Sequence, residues 1–206
     1  MKKRSILMVT IFSGLLLWGC YPHGAEYTED MDVVLTKHNE AYDFTTKGTY
    51  AMNDSIVKIT GNKQEGEKPD FIPQLTASQI LAQIEKNMLT LGYTKVPLSK
   101  VDPKPDLLLL PSSWETTTIY YYYDYWYSWW GGYYPYWGYP PVYAGSYTTG
   151  TLLMTLIDPK DIGANGNPIV EWTGALNGIL TDKYNPARVN PLIDQAFKQS
   201  PYLKTN

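Results

Sequence analysis

The order of apolar and polar residues along the chain predicts more strands than helices. Six short runs rich in β-branched, leucine or aromatic side chains have the composition of strands, at residues 31–36, 43–51, 55–60, 106–110, 151–157 and 169–179. The run at 106–110 is almost entirely leucine, which is typical of a strand buried on both faces. Residues 158–168 are rich in Gly, Asn and Pro and predict a hairpin connection between the last two strands.

One segment has the clear three- and four-residue spacing of an amphipathic helix. Within residues 76–91 the apolar side chains that share one face are Ile80, Leu81, Ile84, Met88 and Leu91. Thr76 and Gln79 have the spacing of a capping box at the start of this helix. Gly92 suits its end, because glycine tolerates a left-handed backbone.

A second, shorter helix is predicted at residues 191–199. Asn190 can act as its N-cap and Pro191 suits its first turn. Strands outnumber helices and do not alternate regularly with them. We therefore expect an α+β fold: a mostly antiparallel sheet with two helices packed on one face, plus an aromatic-rich inserted hairpin or loop.

The predicted insertion is residues 120–147, where 16 of 28 side chains are Tyr or Trp and only Asp124 is charged. Tyr and Trp combine a large apolar face with one polar group, which suits surfaces that are partly wet. The candidate binding residues are Tyr122, Tyr125, Trp126, Trp129, Trp130, Tyr134 and Trp137. As a shape, residues 113–127 would continue the leucine strand and residues 143–157 would return antiparallel to it.

The N-terminus has the pattern of a bacterial lipoprotein signal. Three basic residues precede a short apolar run at 6–17, which is followed by Leu17-Trp18-Gly19-Cys20. We predict a signal peptide at 1–19, lipidation of Cys20, a flexible tether at 20–30 and a single domain at 31–206. The expected location is the cell envelope, most simply the outer membrane, with the periplasmic and surface-exposed sides left open.

Composition and the absence of motifs argue against several classes of function. Three of the 17 basic residues belong to the leader, which leaves 14 against 20 acidic side chains, a balance that argues against a nucleic-acid partner. Cys20 is the sole cysteine, so the rest of the chain has neither a disulfide nor a thiol nucleophile. Of the two histidines, His23 lies in the predicted tether and His38 in a predicted loop beside Asn39 and Glu40, which argues against a His-based triad or metal site. No catalytic or phosphate-binding motif is present. We expect no cofactor and no enzymatic activity.

Several short motifs together resemble the bacterial lipoprotein family known as domain of unknown function 4136, common in the Bacteroidetes. In chain order they are Asp43-Phe44 with Lys47, Thr49 and Tyr50; Leu91-Gly92-Tyr93; Pro105-Asp106-Leu107-Leu108; Gly150-Thr151-Leu152; Asp158-Pro159-Lys160; and Trp172-Thr173-Gly174. The resemblance implies an envelope lipoprotein with an α+β domain and implies no activity. The connection at 158–168 is longer than is usual in this family.

The uses of the aromatic insertion remain open at this point. Its rings could bind an envelope protein, stack on a glycan, lie against the membrane surface or pack against the domain's own sheet. A low-complexity segment with no ligand at all is the simplest alternative. The other function class is an envelope enzyme acting on glycans, with Glu115 or Asp124 as its carboxylates.

Two weaker sites complete the set. Asp54-Ser55-Ile56 matches a three-residue pattern for O-glycosylation, so Ser55 is a candidate modification site, although a turn explains the same residues. Asp158, Asp161, Asn165 and Asn167 suggest a calcium loop, but their spacing does not fit one, and turn chemistry accounts for them. We therefore expect no metal site.

Overall fold

In the described part of the chain, eight strands form one sheet, and two helices pack against it. The computed structural model describes residues 33–60, 69–98, 104–115, 150–164, 168–180 and 184–206, all within a compact unit that begins at Asp32. The strands are β1 (Val34–His38), β2 (Thr49–Met52), β3 (Val57–Ile59), β4 (Asp70–Phe71), β5 (Thr94–Lys95), β6 (Leu107–Trp114), β7 (Thr151–Ile162) and β8 (Pro168–Leu176). The helices are α1 (Gln74–Thr90) and α2 (Pro186–Lys198), with two short 3-10 helices at Phe44–Thr46 and Pro201–Leu203.

The strand order is β1-β8-β7-β6-β2-β5, with β3 beside β6 and β4 beside β3. Strands β1, β8, β7 and β6 pair antiparallel with one another in this order. Strands β2 and β3 follow one another along the same edge of β6 and run parallel to it. The chain reaches β6 from β3 through α1, and a parallel pair needs a long crossover of this kind. The predicted fold class is confirmed, and the parallel pairing of β2 and β3 is a feature that the sequence pattern did not predict.

One face of the sheet, here called the helix face, packs against both helices. Its side chains and those of the helices form one apolar core that includes Tyr50, Leu107, Leu109, Leu152, Met154, Leu156, Trp172, Leu176, Ile80, Ile84, Met88, Ile193 and Phe197. The two helices are also joined by a hydrogen bond of 2.7 Å from the Asn87 amide to Asp194. The predicted buried face of the first helix is confirmed.

The opposite side, here called the second face, is formed by the alternate residues of the same strands. Its central members are Ala51, Leu108, Leu110, Leu153, Ile157 and Ala175, each 5% exposed or less. The prediction that the leucine strand is buried on both faces is therefore confirmed. The strand runs to Trp114 and so includes residues 113 and 114 of the predicted continuation at 113–127, while residues 116–127 lie outside the described ranges.

Both helices begin earlier than the sequence pattern predicted. Helix α1 starts at Gln74, directly after Pro73, and its N-cap has no side-chain hydrogen bond. The predicted capping box of Thr76 and Gln79 is therefore wrong. The Gln74 side chain instead donates to the backbone oxygen of Asp54, which joins the helix start to the turn before β3.

Helix α2 also starts one turn before its predicted N-cap. The chain contains two Asn-Pro pairs, and the cap is Asn185, which accepts from the Ala187 amide, rather than Asn190. Starting at Pro186 brings Val189 into the helix, where it is 1% exposed. The later proline, Pro191, lies inside the helix. The extra turn is therefore stabilised by the burial of one more apolar side chain.

Two predicted strand boundaries differ from those observed. Residues 43–51 do not form one strand, because the Asp43 carboxylate accepts from the Thr45 amide and caps a 3-10 helix, which inserts Phe44 into the core. Strand β7 continues to Ile162, so most of the predicted connection at 158–168 belongs to the hairpin strands. The pairing of β7 with β8 is irregular here, with register shifts between Leu156 and Ile157 and between Ile157 and Ile162.

Trp172 is the largest side chain at the centre of the helix face, and its position depends on Gly174. The indole nitrogen donates to the Ser200 hydroxyl at 2.9 Å, and the ring lies 5.3 Å from that of Phe197. A Cβ atom at Gly174 would lie 2.6 Å from the Trp172 ring and 3.1 Å from Met154. The ring therefore occupies space that any other residue at 174 would need.

We predict that Gly174→Ala destabilises the fold by about 1–3 kcal/mol, because it overpacks a core whose indole ring is held by a hydrogen bond. Gly48→Ala is the matched control, since a Cβ there meets nothing within 4 Å. Urea unfolding of the two variants measures the difference. Equal midpoints for both variants would contradict the prediction.

Candidate functional site

Polar side chains meet at one end of the sheet, where the connection from β1 to β2 passes the ends of β7 and β8. Asn39, Tyr42 and Lys47 come from that connection, Asp158 from β7 and Glu171 from β8. We call these five residues the polar cluster. They lie at the end of the β6–β7 pair where Leu108 faces Ile157, whereas Trp114 faces Thr151 at the other end.

Asp158 is the centre of the polar cluster. Its Oδ2 accepts from the Tyr42 hydroxyl and from the Lys47 ammonium group, each at 2.7 Å. Its Oδ1 accepts from the Lys160 amide at 2.7 Å. The Asp158 side chain is only 4% exposed and that of Lys47 is 22% exposed, so this ion pair is largely removed from water.

The surroundings of Asp158 favour its ionised form. Burial alone would raise the pKa of its carboxyl group, but the hydrogen bonds from Lys47, Tyr42 and the Lys160 amide outweigh burial and lower it. The pKa of Tyr42 is raised, by burial and by its hydrogen bond to Asp158. Tyr42 therefore stays a neutral donor, and its ring also lies 5.1 Å from the Lys47 nitrogen.

Glu171 has the opposite electrostatic character. It is fully buried, and its Oε2 accepts from the Asn39 amide at 3.0 Å, while its Oε1 has no hydrogen-bond partner. Burial, together with the nearby carboxylates of Asp161 and Asp158, raises the pKa of Glu171 to about 7. The interaction with the Asp161 carboxyl group raises the pKa of Glu171 because it favours the protonated form.

A second carboxylate, Asp106, anchors the start of β2 beside the polar cluster. Its Oδ2 accepts from the backbone amides of Gly48 and Thr49 and from the Thr49 hydroxyl, at 2.9–3.1 Å. Burial opposes ionisation of Asp106, but these hydrogen bonds and the nearby Lys160 lower its pKa. Lys160 lies 3.6 Å from Asp106, so it connects this anchor to Asp158 through its own backbone amide.

The arrangement of the polar cluster suits fixing the chain and holding a proton rather than binding a metal. Among the described residues, no group of three His, Cys, Asp or Glu side chains is placed to hold a metal ion. Both oxygens of Asp158 are engaged by Lys47, Tyr42 and the Lys160 amide. Glu171 is enclosed, so it does not contact solvent or a substrate in this conformation.

Most of the residues predicted to be functional lie outside the described ranges. These are Cys20, all seven candidate binding residues of the aromatic insertion, Asp124, Asn165 and Asn167. Ser55 is half-buried in the turn before β3, where its hydroxyl donates to Asp54 at 3.1 Å. Glu115 forms an ion pair of 2.8 Å with Lys58, and both side chains are about one-third exposed. In the described ranges, no helix combines the length and apolarity needed to cross a membrane.

The polar cluster was not identified from the sequence, although part of its signal was present. Three of the motifs that carry the family resemblance supply Lys47 and Asp158 of the cluster, together with the neighbouring residues Thr49, Asp106 and Lys160. They lie far apart in the sequence and meet only in the fold. Asn39, Tyr42 and Glu171 belong to no such motif, and nothing in the sequence pattern distinguished them.

We predict that Lys47→Met destabilises the protein by about 2–3 kcal/mol, because it leaves the buried Asp158 carboxylate without its charged partner. Lys58→Met is the control, since its ion pair with Glu115 is more exposed than that of Lys47 and is expected to contribute less than about 1 kcal/mol. Chemical unfolding at neutral pH measures both. A loss at Lys47 no larger than at Lys58 would show that the pair is not effectively buried.

A second prediction concerns the pH dependence of stability. Because the pKa of Glu171 is raised from 4.5 to about 7, the folded protein binds more protons than the unfolded chain between these values. Stability should therefore fall as the pH rises from about 4.5 to 7, by up to about 3 kcal/mol. Below about pH 4 it should fall again, since the lowered pKa values of Asp158 and Asp106 have the opposite effect.

Glu171→Gln should remove the decrease between pH 5 and 8, because the amide does not titrate. Urea unfolding midpoints at the two pH values measure this decrease. Glu40→Gln is the control, since Glu40 is exposed, and it should keep the decrease seen in the unmodified protein. A Glu171→Gln variant that still loses stability over this range would contradict the assignment.

A family model described as domain of unknown function (DUF4136) matches residues 34–202, which is more than half of the chain. The crystal structure of a DUF4136 family protein from Bacteroides thetaiotaomicron VPI-5482 shares the fold, with 24% identity, 84% of this chain and 97% of that chain covered, and a TM-score of 0.63.

Two other structures are less similar. A PelC dodecamer from Paraburkholderia phytofirmans has 13% identity, with 85% of this chain and 100% of that chain covered and a TM-score of 0.38. A PDZ domain protein from Parabacteroides distasonis ATCC 8503 has 17% identity, with 84% and 34% covered and a TM-score of 0.36. No curated protein matches the sequence. On the match over residues 34–202, the chain belongs to the DUF4136 family.

Proposed function

We propose that the protein is a lipid-anchored module of the cell envelope that binds an envelope protein or glycan through its Tyr/Trp-rich segment. In this proposal Cys20 carries the lipid, and residues 20–30 tether the domain to the membrane. A tether of this length reaches at most about 35 Å when fully extended. The bound partner is therefore a component found close to the membrane surface.

The observation that carries the proposal is the length of the connection between the two central strands. Strands β6 and β7 pair in register up to Trp114 and Thr151, and the Gly150 amide donates to the Trp114 oxygen. Antiparallel strands can be joined by two residues, yet here residues 115–150 make the connection. Connections of this length in compact domains are uncommon and are usually either functional or linker segments, and binding residues are commonly carried on loops fixed to a rigid scaffold.

The chemistry of the segment supports binding. Its Tyr and Trp side chains lose little conformational entropy on binding for the apolar area they bury, and such residues dominate the energetics of many interfaces. The candidate residues Trp126, Trp129 and Trp130 lie close together in the sequence, on either side of Ser128. Only Asp124 is charged between residues 120 and 147, so a partner does not have to desolvate several charges.

We predict that replacing Trp126, Trp129 and Trp130 with Ala weakens binding to the partner at least tenfold, as expected when interface aromatic residues are truncated. The mature chain carrying Cys20→Ser is used, so that no lipid contributes to binding. The probes are phosphatidylethanolamine–phosphatidylglycerol vesicles, purified peptidoglycan and, by cross-linking in cells, envelope proteins. The proposal predicts retention on peptidoglycan or a specific cross-link to an envelope protein that the triple variant loses.

Leu89→Ala is the control, because Leu89 is a 72% exposed apolar residue on α1 outside the segment's sequence, and this variant should bind like the unmodified protein. Binding to vesicles alone would contradict the proposal in favour of a membrane-surface role. Release of soluble glycan fragments by the unmodified protein would contradict it in favour of the enzyme alternative. Binding unchanged in the triple variant would exclude this part of the segment as the binding surface.

A further inference from the structure

The second face of the sheet is buried although the described helices pack on the helix face. Leu108, Leu110, Leu153 and Ile157 occupy its centre, and each is 5% exposed or less. Both helices contribute their apolar residues to the core on the helix face. An apolar sheet surface of this kind needs a cover, since leaving it in water would cost about 25 cal/mol for each square ångström.

Burial of the second face ends at β1, and this boundary indicates where the cover lies. Ala175 on β8 is 3% exposed, whereas Leu35, its partner across the sheet on β1, is 51% exposed. On the other side, burial extends to Ala51 on β2 and Val57 on β3. The cover is therefore centred on β6 and β7 and does not reach β1.

Strands β6 and β7 are also the strands from which residues 116–149 leave and return. The last side chain of β6, Trp114, belongs to the second face and is 0% exposed, and its indole nitrogen donates to Ser112 at 3.2 Å. Trp114 is thus enclosed at the point where the chain departs. The cover therefore begins where the segment begins.

The segment has enough chain and the right composition to serve as the cover. An eight-residue strand such as β6 is about 27 Å long, and a run of half the segment could span it fully extended. Residues 116–149 carry one charged side chain, Asp124, and their Tyr and Trp rings are apolar on both faces. Because the segment is joined to the sheet at both ends, its effective concentration at this face exceeds that of a separate molecule.

We propose that the second face is the docking surface for the chain's own segment 116–149. The segment folds back over Leu110 and Leu153 from the Trp114 end, instead of continuing β6 and β7 as an extended ribbon. Residues alternate in direction along an extended chain, so part of the aromatic side chains packs on the sheet while the rest faces outward. The inference concerns intramolecular packing and does not require that the outward rings bind a partner.

Photo-cross-linking of the full lipidated chain in cells tests the docking. p-Benzoylphenylalanine is placed at Thr155 or Thr173, which are second-face positions 8% and 9% exposed. The expected product is an intramolecular cross-link to a peptide within 116–149, with the protein at monomer mass on a denaturing gel. The same probe at Leu89 on α1 is the control and should give no cross-link to this segment.

A cross-link between two copies at dimer mass, or to a different protein, would overturn the proposal in favour of another cover. So would the absence of any cross-link to 116–149 from either position in folded protein. A second measurement avoids the added probe: deletion of 120–147 should raise the fluorescence of anilinonaphthalene sulfonate severalfold while a cooperative thermal transition is kept. Unchanged dye fluorescence in that variant would also overturn the proposal. Neither measurement depends on partner binding.

Discussion

Strands β6 and β7 are buried on both faces, and the other elements are arranged around that constraint. A strand with no wet side must pair all its backbone groups within the sheet and must have an apolar layer above and below it. Strand β6 meets the first requirement by pairing with β7 on one edge and with β2 and β3 on the other. The helices provide one layer on the helix face. The need for the other layer follows from the leucines of β6 alone, since Leu108 and Leu110 point away from Leu107 and Leu109.

The polar cluster solves a different problem, that of fixing an irregular connection to the end of this sheet. The chain between β1 and β2 contains a single short 3-10 helix, so few backbone hydrogen bonds hold it in place. Lys47 and Tyr42 both reach Asp158 on β7, and Asn39 reaches Glu171 on β8. Burying these charges offsets much of the energy gained from pairing them, so we attribute to the cluster mainly the selection of one conformation. Selecting this conformation costs free energy at Glu171, because one of its buried oxygens has no hydrogen-bond partner.

Elements with a local sequence pattern were predicted correctly. Helix starts, strand pairing and ion pairs that depend on residues distant in the sequence were not. The apolar spacing of Ile80, Ile84 and Met88 identified the buried face of α1, and Gly92, with a φ of 99°, ends it as expected. The helix starts were misplaced because Pro73 and Asn185 compete with equally plausible caps nearby, and the choice depends on what the extra turn buries. The parallel pairing of β2 and β3 with β6 could not be predicted, because it depends on how α1 returns the chain. The ion pair of Lys47 with Asp158 joins residues more than a hundred positions apart, and no spacing rule relates them.

The two ends of the β6–β7 pair have different chemistry, and this difference bears on how the domain can be used. At one end, charged groups from three parts of the chain are joined by hydrogen bonds and ion pairs, which makes that end costly to rearrange. At the other end, the strands are joined by a segment that contributes one charge and many rings. Aromatic surfaces exchange one apolar contact for another at little cost, whereas a buried ion pair has to be desolvated anew for each partner. The aromatic end is therefore better suited to a contact surface that adapts to a partner. The polar end is better suited to holding the sheet and the β1–β2 connection in one conformation.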